Sequence, residues 1–459
     1  MYGGKFDMEF DLKLMSVSHS LEKHPVLDEC VKYKIKYLNV LEYFVNKYSS
    51  QDQFALESLK NYKAIFLGED IEQYSYSEQE FKRVSRGVIG IKFKGFKLFT
   101  YRYSLVCDCL FINAAVNFAK ATKILKEIKS IYKKRYHQKL DLLFEVLYKT
   151  KNSIEGLDKI KYQVKCWQDN KAYLKQKQVT VLATANMSAG KSTLINTIVG
   201  KTINRTMNDA CTSKLHYIYD KAFEDGFNYE LDGSLNLNAD EKALLDDDIS
   251  NKDDKIFAST YFKLLSKNKS RLCIIDTPGV NSSLNLDHTK ITKDIVINEQ
   301  YDKVLYLINA ENSGTDDDLR YLRFICENVD ENKIIFVLNK LDRFKISEDS
   351  VEESINHLKD DLIKLGLANP IICPVSSYAG WLAKKKMFGI ELNDDEQDDY
   401  MILQRKFKDE NYNISKFYSG DILKRINQNC SENDKSPIID LLIKCGILCL
   451  EEIITEGVR

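Results

Sequence analysis

The sequence predicts an α/β fold, a mostly parallel sheet covered by helices, preceded by an α+β segment and a helical segment. From Val179 onward, short apolar runs alternate with helix-like segments, and strands that alternate with helices form parallel sheets. The first half contains a single proline, Pro25, which permits long helices there. A helix is predicted from Lys191, and the predicted strands are 179–183, 214–219, 271–275, 303–308, 333–338 and 370–375.

The residues before the α/β region are predicted to be mainly helical. Apolar residues recur at helical spacing over 26–48 and 110–148, while 65–67 and 88–103 alternate like short strands. The resulting domains are an N-terminal α+β region of unknown role over 1–105, a helical bundle or neck region over 106–177, and an α/β domain over 178–459 that ends in a helix at 438–454. Acidic or polar runs at 240–254, 394–400 and 427–436 are interpreted as surface loops.

Composition and charge limit the class of protein. A chain of 459 residues with 44% apolar residues can fill more than one core. Its 67 basic and 68 acidic residues nearly cancel, so no overall field favours nucleic acid or an anionic membrane, and no nucleic-acid partner is expected. Eleven scattered cysteines without a recognisable signal peptide predict reduced thiols in a cytoplasmic protein, with peripheral membrane contact left open. No apolar stretch approaches the ~20 residues of a membrane helix.

One motif predicts a phosphate-binding loop. Residues 185–192 read Ala-Asn-Met-Ser-Ala-Gly-Lys-Ser, between a predicted strand and a predicted helix. Such a turn directs backbone N–H groups and the positive end of a helix dipole at phosphate, while a lysine ammonium reaches the β and γ oxygens. Lys191 is that ammonium, Gly190 allows close approach of the backbone, and Ser192 offers a hydroxyl to Mg2+. The other nucleotide-binding positions are Asn186, Ser188, Ala189 and Thr193.

Two further segments predict contacts to the metal and the γ-phosphate. Asp276 ends an apolar strand, which brings its carboxylate to the phosphate end of the sheet, where it holds a Mg2+-bound water. Gly279, in Asp-Thr-Pro-Gly, donates its N–H to the γ-phosphate and releases it on hydrolysis. Thr212 follows the loop at the distance of a switch threonine, with Ser213 as its rival and a plain strand start as the alternative. The predicted Mg2+ ligands are Ser192, Thr212 and Asp276.

The segment Asn339-Lys-Leu-Asp342 predicts the choice of base. A carboxylate accepts two N–H bonds from guanine, whereas adenine offers no matching pair of donors, so Asp342 selects GTP over ATP. Lys340 lies along the base, and Ser376 or Ser377, after the final strand, approaches the guanine oxygen. The four segments together predict a P-loop GTPase domain that binds GTP with Mg2+ and hydrolyses it to GDP and phosphate.

The catalytic residues are predicted to be Ser188, Lys191 and Thr212. Val280 follows Gly279 where a small Ras-type switch has the glutamine that orients water, so catalysis must use other groups. Ser188 is placed to contact the bridging oxygen or to ligate a monovalent cation, K+ or Na+, that offsets charge in the transition state.

The motif set resembles the GTPase domain of bacterial dynamin-like proteins. The resemblance covers about 179 to the C-terminus and lies in the serine two residues before the loop glycine, Lys-Ser-Thr-Leu-Ile-Asn, Ala-Cys-Thr, Asp-Thr-Pro-Gly-Val and Asn-Lys-Leu-Asp. It implies that two GTPase domains meet face to face across their nucleotides, using Ser188 and a cation, with the loop 314–318 near that face. The sequence departs from the pattern at Ala185, in place of the first loop glycine, and at Met187, where eukaryotic dynamins have glutamine. Both departures leave the hydrolysis rate open.

The leading hypothesis is a cytoplasmic dynamin-like GTPase that dimerises through its nucleotide face and couples the GTP cycle to movement of its helices, with membrane remodelling as one candidate outcome. Its expected partners are GTP and GDP, a second copy, and a peripheral membrane surface or a related dynamin-like protein. The resemblance implies a long helical stalk whose usual C-terminal half is not recognised in this sequence. The expected explanations are that the helices over 110–177 supply the bundle with 438–454 packed on them, that the sequence is a fragment, or that no stalk is needed. The alternatives are a monomeric regulatory GTPase of the ribosome-assembly type and a slow-hydrolysing GTP-bound scaffold.

A basic stretch either contacts lipid phosphates or is a solvated helix surface: Lys120, Lys123, Lys126, Lys129, Lys133, Lys134 and Arg135.

Overall fold

The computed structural model describes residues 10–19, 21–68, 101–149, 158–185, 188–203, 214–245, 254–265, 270–277, 286–311, 316–345, 348–429 and 436–456. The chain forms two compact units. The first combines Met1–Lys175 with Lys221–Ala239, and the second combines Gln176–Asp220 with Asp240–Arg459. The three domains with boundaries at 105 and 177 stay a prediction.

The helices of the first unit are α1 (Val31–Tyr48), α2 (Gln53–Leu67), α3 (Arg102–Ala114), α4 (Phe118–Ile131), α5 (His137–Tyr148) and α6 (Lys161–Lys175). Those of the second unit are α7 (Lys191–Val199), α8 (Glu241–Leu245), α9 (Leu286–Asn298), α10 (Asp316–Asn328), α11 (Val351–Lys364), α12 (Ser377–Met387), α13 (Asp394–Lys406), α14 (Gly420–Asn429), α15 (Pro437–Lys444) and α16 (Ile447–Thr455). The strands, in chain order, are β1 (Gln178–Ala185), β2 (Leu215–Asp220), β3 (Tyr229–Asp232), β4 (Ser234–Asn236), β5 (Lys255–Thr260), β6 (Arg271–Asp276), β7 (Lys303–Asn309), β8 (Ile334–Asn339) and β9 (Ile371–Pro374).

The first unit is mainly helical, as the periodicity predicts, but its helices are shorter. The predicted helix over 110–148 is divided among α3, α4 and α5, and Asn117 caps α4 by accepting a hydrogen bond from the backbone N–H of Lys120. The predicted strand at 65–67 is wrong, because these residues end α2. Most of the other predicted strand, 88–103, lies outside the described residues, and Arg102 and Tyr103 belong to α3. An antiparallel hairpin of β3 and β4 completes the unit.

The lysine-rich helix α4 turns its apolar side inward. Ala121, Ile124 and Ile128 are buried, whereas the lysines lie toward solvent. Lys120 pairs with Asp52 at 3.2 Å and Lys129 with Asp141 at 2.6 Å, so two of the basic side chains already have carboxylate partners. These pairs favour the solvated helix surface over the lipid-binding alternative.

A buried polar cluster lies at the centre of the first unit. The Asp108 carboxylate, 1% exposed, lies 2.9 Å from Nε2 of His24 and accepts hydrogen bonds from the hydroxyls of Tyr37 and Tyr62. The Tyr62 hydroxyl also lies 2.9 Å from Nε2 of His19. Because each carboxylate oxygen has a partner, α3 can carry a charged residue inside an otherwise apolar run.

The second unit is built on the predicted parallel sheet, with strand order β5-β2-β6-β1-β7-β8-β9. Neighbouring strands are parallel except β2 and β6, which are antiparallel. The six predicted strands correspond to β1, β2, β6, β7, β8 and β9, so the predicted fold class is confirmed, whereas β5 was not predicted. One face of the sheet packs on α9, α10 and α11 through a core that includes Leu182, Ile295, Tyr306, Ile325, Phe336 and Leu362. Burial on both faces explains why these strands are almost continuously apolar.

The predicted C-terminal helix is two helices, α15 and α16, separated at Gly446. The φ of Gly446 is +81°, and a Cβ there would lie 2.3 Å from the carbonyl oxygen of Pro374, so only glycine fits the bend. Behind it, Lys384 of α12 forms a buried ion pair with Glu451 of α16. Burial raises the pKa of Glu451, and the ammonium of Lys384 opposes that rise. The ion pair fixes α16 against α12.

The acidic run 394–400 is helical, so its interpretation as a loop was wrong. It forms the start of α13, where the Asn393 side chain accepts a hydrogen bond from the N–H of Glu396 and the Glu396 carboxylate accepts one from the N–H of Asn393. This capping box, with carboxylates at the positive end of the helix dipole, stabilises a helix that lacks a clear apolar period. Across the described segments, no helix combines the length and apolar character needed to cross a membrane.

The environment of His19 predicts a pH dependence of stability. Burial lowers the pKa of His19 from 6.5 to about 3, although the charge of Asp108 acts in the opposite direction. Its stabilising contribution is therefore fully present above pH 6.5 and is lost as the pH falls toward 3, by no more than about 1.4 kcal/mol per pH unit. We expect His19→Gln to flatten the fall in unfolding temperature between pH 7 and pH 5, measured by circular dichroism. The exposed His357→Gln serves as control, and an unchanged pH profile in the His19 variant would contradict this.

Candidate nucleotide-binding site

The described parts of three predicted site segments meet at one edge of the parallel sheet. β1 ends at Ala185 and α7 begins at Lys191, as the motif predicts. In the sheet register Ala183 of β1 lies beside Asp276, the last residue of β6, and β8 ends at Asn339. Because the carboxyl ends of parallel strands share an edge, these segments surround one crevice.

The phosphate-loop lysine pairs with the metal-site aspartate. The Lys191 ammonium donates to the Asp276 carboxylate and, at 2.7 Å, to the carbonyl oxygen of Thr277. The two side chains are 12% and 4% exposed, so this pair is shielded from water. Ser192 is the next residue of the chain and lies in the first turn of α7. The structure therefore brings together the cation and the carboxylate that the sequence assigns to phosphate and Mg2+.

Asn339 joins the phosphate loop to the base-recognition segment. Its Nδ2 donates to the carbonyl oxygen of Ala189 at 2.8 Å, and its Oδ1 accepts from the backbone N–H of Ser377 at 2.9 Å. The side chain is 1% exposed. Gly190 has a φ of +85°, and a Cβ there would lie 2.5 Å from Nδ2 of Asn339. Glycine is thus required both for the backbone conformation and for the space beside Asn339.

The residues predicted to recognise the base are also close together. The Ser376 hydroxyl donates to Oδ1 of Asp342 at 2.7 Å and caps α12 by accepting from the N–H of Ala379. Ser377 Oγ is buried and has no hydrogen-bond partner among the described residues. Lys340 has a φ of +71°, and burial lowers its pKa. The two serines therefore differ. The Ser376 hydroxyl orients the Asp342 carboxylate, whereas the Ser377 hydroxyl is available to form a hydrogen bond with a bound ligand.

A cavity of about 470 Å³ is lined by Gly190 and Thr193 from the phosphate half of the site and by the residues predicted to recognise the base. Its walls come from the phosphate loop, α7, the 339–343 segment, α12 and α13: Gly190, Thr193, Asn339, Lys340, Asp342, Arg343, Ser377, Tyr378, Asp399, Ile402 and Leu403. A larger cavity of about 740 Å³ lies in the first unit, and its lining includes none of the predicted site residues. The sequence analysis missed the α13 residues, although the Asn393-to-Glu396 spacing is a capping-box signal.

Other predicted site residues lie outside the described residues: Asn186, Thr212 and Gly279, together with Met187 and Ser213. Within the loop 314–318, only the start of α10 is described. Ser188 is described, with a φ of +60° and an exposed side chain. The roles of all these residues stay predictions.

The donors at Ser192 and Asp276 fit Mg2+. A hydroxyl and a carboxylate are hard oxygen ligands, which Mg2+ prefers, and it completes its shell with phosphate oxygens and water. Within the described part of the chain, no group of three or more His, Cys, Asp or Glu side chains could hold a metal ion. Ser192 and Asp276 would hold a magnesium ion together with the oxygens of a phosphate ligand.

The fold and the site together define a P-loop GTPase domain. Residues 181–341 match the model of the dynamin family, a segment that runs from within β1 to Leu341 and includes Asn339 and Lys340 but ends before Asp342. This match confirms the predicted resemblance to dynamins and the prediction of an enzyme that hydrolyses GTP. No protein with curated annotation gives a significant match to the chain.

Several solved structures are similar to part of the chain. Toc33 from Arabidopsis thaliana is 15% identical with a TM-score of 0.28, and the match covers 44% of this chain and 71% of that one. Era from Aquifex aeolicus, bound to GDP and aluminium fluoride, is 19% identical with a TM-score of 0.28, covering 47% of this chain and 56% of Era. Another Era structure, in complex with MgGDPNP and 16S ribosomal RNA nucleotides, is 20% identical with a TM-score of 0.28 and the same coverage. The expectation of no nucleic-acid partner stays a prediction.

The contact between Gly190 and Asn339 predicts that one methyl group added at residue 190 strongly lowers the free energy of unfolding. Gly389 also has a positive φ, +69°, but nothing lies within 4 Å of its Cβ position. We expect Gly389→Ala to lower the free energy of unfolding by about 1 kcal/mol, the cost of a left-handed alanine. Gly190→Ala should cost about 1–3 kcal/mol more, because it also displaces the buried Asn339 amide. Urea denaturation of the two variants measures the difference, and equal losses would contradict the tight contact.

Proposed function

We propose that the cavity beside Asn339 holds the guanine nucleotide and that the chain works as a dynamin-like GTPase whose nucleotide faces meet in a dimer. The observation that carries this proposal is that phosphate-loop and base-recognition residues line one cavity and are tied by the two hydrogen bonds of Asn339. A nucleotide needs both halves at a fixed separation. Hydrogen bonds from one buried amide provide that constraint.

At the phosphate end, we assign Lys191 to the β and γ oxygens. A triphosphate carries more negative charge than the Asp276 carboxylate that Lys191 contacts, so the ammonium changes partner when nucleotide binds. Asp276 is then available, with Ser192 and Thr212, to hold Mg2+, whose charge offsets that of the phosphates. Backbone N–H groups of the loop complete the contacts, and the residues assigned to them are Asn186, Ser188, Ala189, Gly190, Thr193 and Gly279.

At the base end, we assign Asp342 to the two N–H donors on the edge of guanine. The Ser376 hydroxyl bonds to one oxygen of that carboxylate and so orients it. The aliphatic part of Lys340 lies along the base, and the unpartnered Ser377 hydroxyl is the group on hand for the guanine oxygen. This assignment supports recognition of GTP and GDP over adenine nucleotides.

For catalysis we assign Ser188 to the phosphate-loop contact that a second GTPase domain completes, with K+ or Na+ as the cation. Its exposed position supports this role, because a residue that acts across a dimer must be accessible. The GTP cycle then moves the helices of the chain. Peripheral membrane binding and remodelling are further parts of the proposal that liposomes would test.

The role of Asp342 predicts a change in base preference. In Asp342→Asn, the amide presents one acceptor and one donor, which match the N–H and carbonyl of xanthine rather than the two donors of guanine. We expect affinity for GDP to fall by about 100-fold or more and xanthosine diphosphate to become the better ligand, measured by calorimetry. The exposed Asp395→Asn should bind as wild type, and Lys191→Ala should lose both nucleotides. An Asp342 variant that still prefers GDP would refute the assignment.

The dimer predicts a dependence on nucleotide state. In sedimentation experiments with and without liposomes, we expect monomers with GDP and dimers with GDP plus aluminium fluoride or a non-hydrolysable GTP analogue. The rate of hydrolysis per chain should rise with protein concentration. Ser188→Ala should lower kcat by about 10- to 100-fold with little change in nucleotide affinity, and the exposed Ser50→Ala should match wild type. A monomer in every state, with hydrolysis independent of concentration, would favour a monomeric regulatory GTPase instead.

A further inference from the structure

We propose that helix α13 forms the outer wall of the base pocket and that Ile402 packs against the face of the bound guanine. This inference rests on the proposed function, because it takes the ligand of the cavity to be a guanine nucleotide. It adds a specificity-determining residue that lies far along the chain from the four nucleotide-binding motifs.

One side of α13 faces the cavity. Asp399, Ile402 and Leu403 line it, and their spacing of three and four residues places them on one face of a helix. Lys340 and Asp342 line the same cavity. The base pocket thus has two walls, one from the 339–343 segment and one from α13.

Ile402 and its neighbour Met401 are both exposed apolar side chains, but they differ in their position relative to the cavity. Ile402 is 58% exposed and Met401 is 48% exposed, whereas Leu403 is 7% exposed and anchors the helix. Only Ile402 of the exposed pair lines the cavity. Single exposed apolar residues are common on protein surfaces, so the exposure of Ile402 does not by itself indicate a ligand contact. Its position in the cavity lining does.

α13 is held rigidly to the residues that select the base. The Lys406 ammonium donates to the carbonyl oxygens of Asp342 at 2.5 Å and Phe344 at 2.6 Å. The Tyr378 hydroxyl donates to Oδ2 of Asp399 at 2.6 Å, which ties α13 to α12. These bonds fix the distance between Ile402 and Asp342, and a preorganised wall binds a flat ligand without a cost of ordering.

The chemistry of the two walls is complementary to a purine. The edge of guanine carries the donors that a carboxylate accepts, while the flat faces are apolar and gain from contact with aliphatic groups. Asp342 offers the carboxylate, and Ile402 offers an aliphatic side chain that solvent otherwise surrounds. Covering Ile402 with the base removes apolar surface of both partners from water.

The test compares Ile402→Ala with Met401→Ala in the full chain. Calorimetry measures the affinity of each variant for GDP and for inorganic tripolyphosphate. We expect Ile402→Ala to weaken GDP binding by about fivefold, because several apolar carbons lose their contact, and to leave tripolyphosphate binding unchanged. Met401→Ala should match wild type for both ligands. Because both side chains are exposed, neither variant should change the unfolding temperature by more than a few degrees.

Wild-type affinity of the Ile402 variant for GDP would overturn the inference, as would an equal loss in the Met401 variant. An equal loss of tripolyphosphate affinity would also overturn it, since the substitution would then act on the whole site rather than on the base. Failure of the proposed function has a different result, in which the wild-type chain itself binds GDP no better than ADP.

Discussion

The geometry of the site depends on the buried side chain of Asn339. Its amide bonds to Ala189 of the phosphate loop on one side and to Ser377 at the start of α12 on the other, so two segments separated by about 190 residues hold a fixed distance. The neighbouring Gly190 has no side chain, which leaves room for that amide. Loss of Asn339 would leave a buried carbonyl and a buried N–H without partners, a penalty larger than the net worth of the bonds.

Charge is distributed along the crevice in the order that a nucleotide requires. The Lys191 ammonium lies at the phosphate loop, close to the Asp276 carboxylate. Asp342 lies in the segment assigned to the base, where its carboxylate accepts a hydrogen bond from the Ser376 hydroxyl. An anionic phosphate and a base edge rich in N–H donors fit these two ends and not the reverse. The cation and the carboxylates are positioned by strand ends and caps, so the electrostatics of the site follow from the topology of the sheet.

The positions of the motifs assigned to the nucleotide could be predicted from sequence, and the groups that support them could not. Asp276 and Asn339 end apolar strands, and Lys191 begins the helix that follows the phosphate loop, so local pattern places them. Helix α13 escaped prediction because its acidic start lacks an apolar period and depends on the Asn393–Glu396 capping box. The break at Gly446 depends on a carbonyl of Pro374, a contact distant in sequence. Residues 65–67 alternate like a strand but continue α2, because tertiary packing decides such short runs.

Asn339 joins the proposed phosphate site and the proposed guanine site into one. The most direct test is calorimetric titration of the wild-type chain and of Asn339→Ala with GDP, and of the wild-type chain with ADP. We expect wild type to bind GDP at least about 1,000-fold more tightly than ADP, and Asn339→Ala to lower the GDP affinity by about 100-fold. Equal affinity of wild type for the two nucleotides, or unchanged GDP binding by Asn339→Ala, would contradict it.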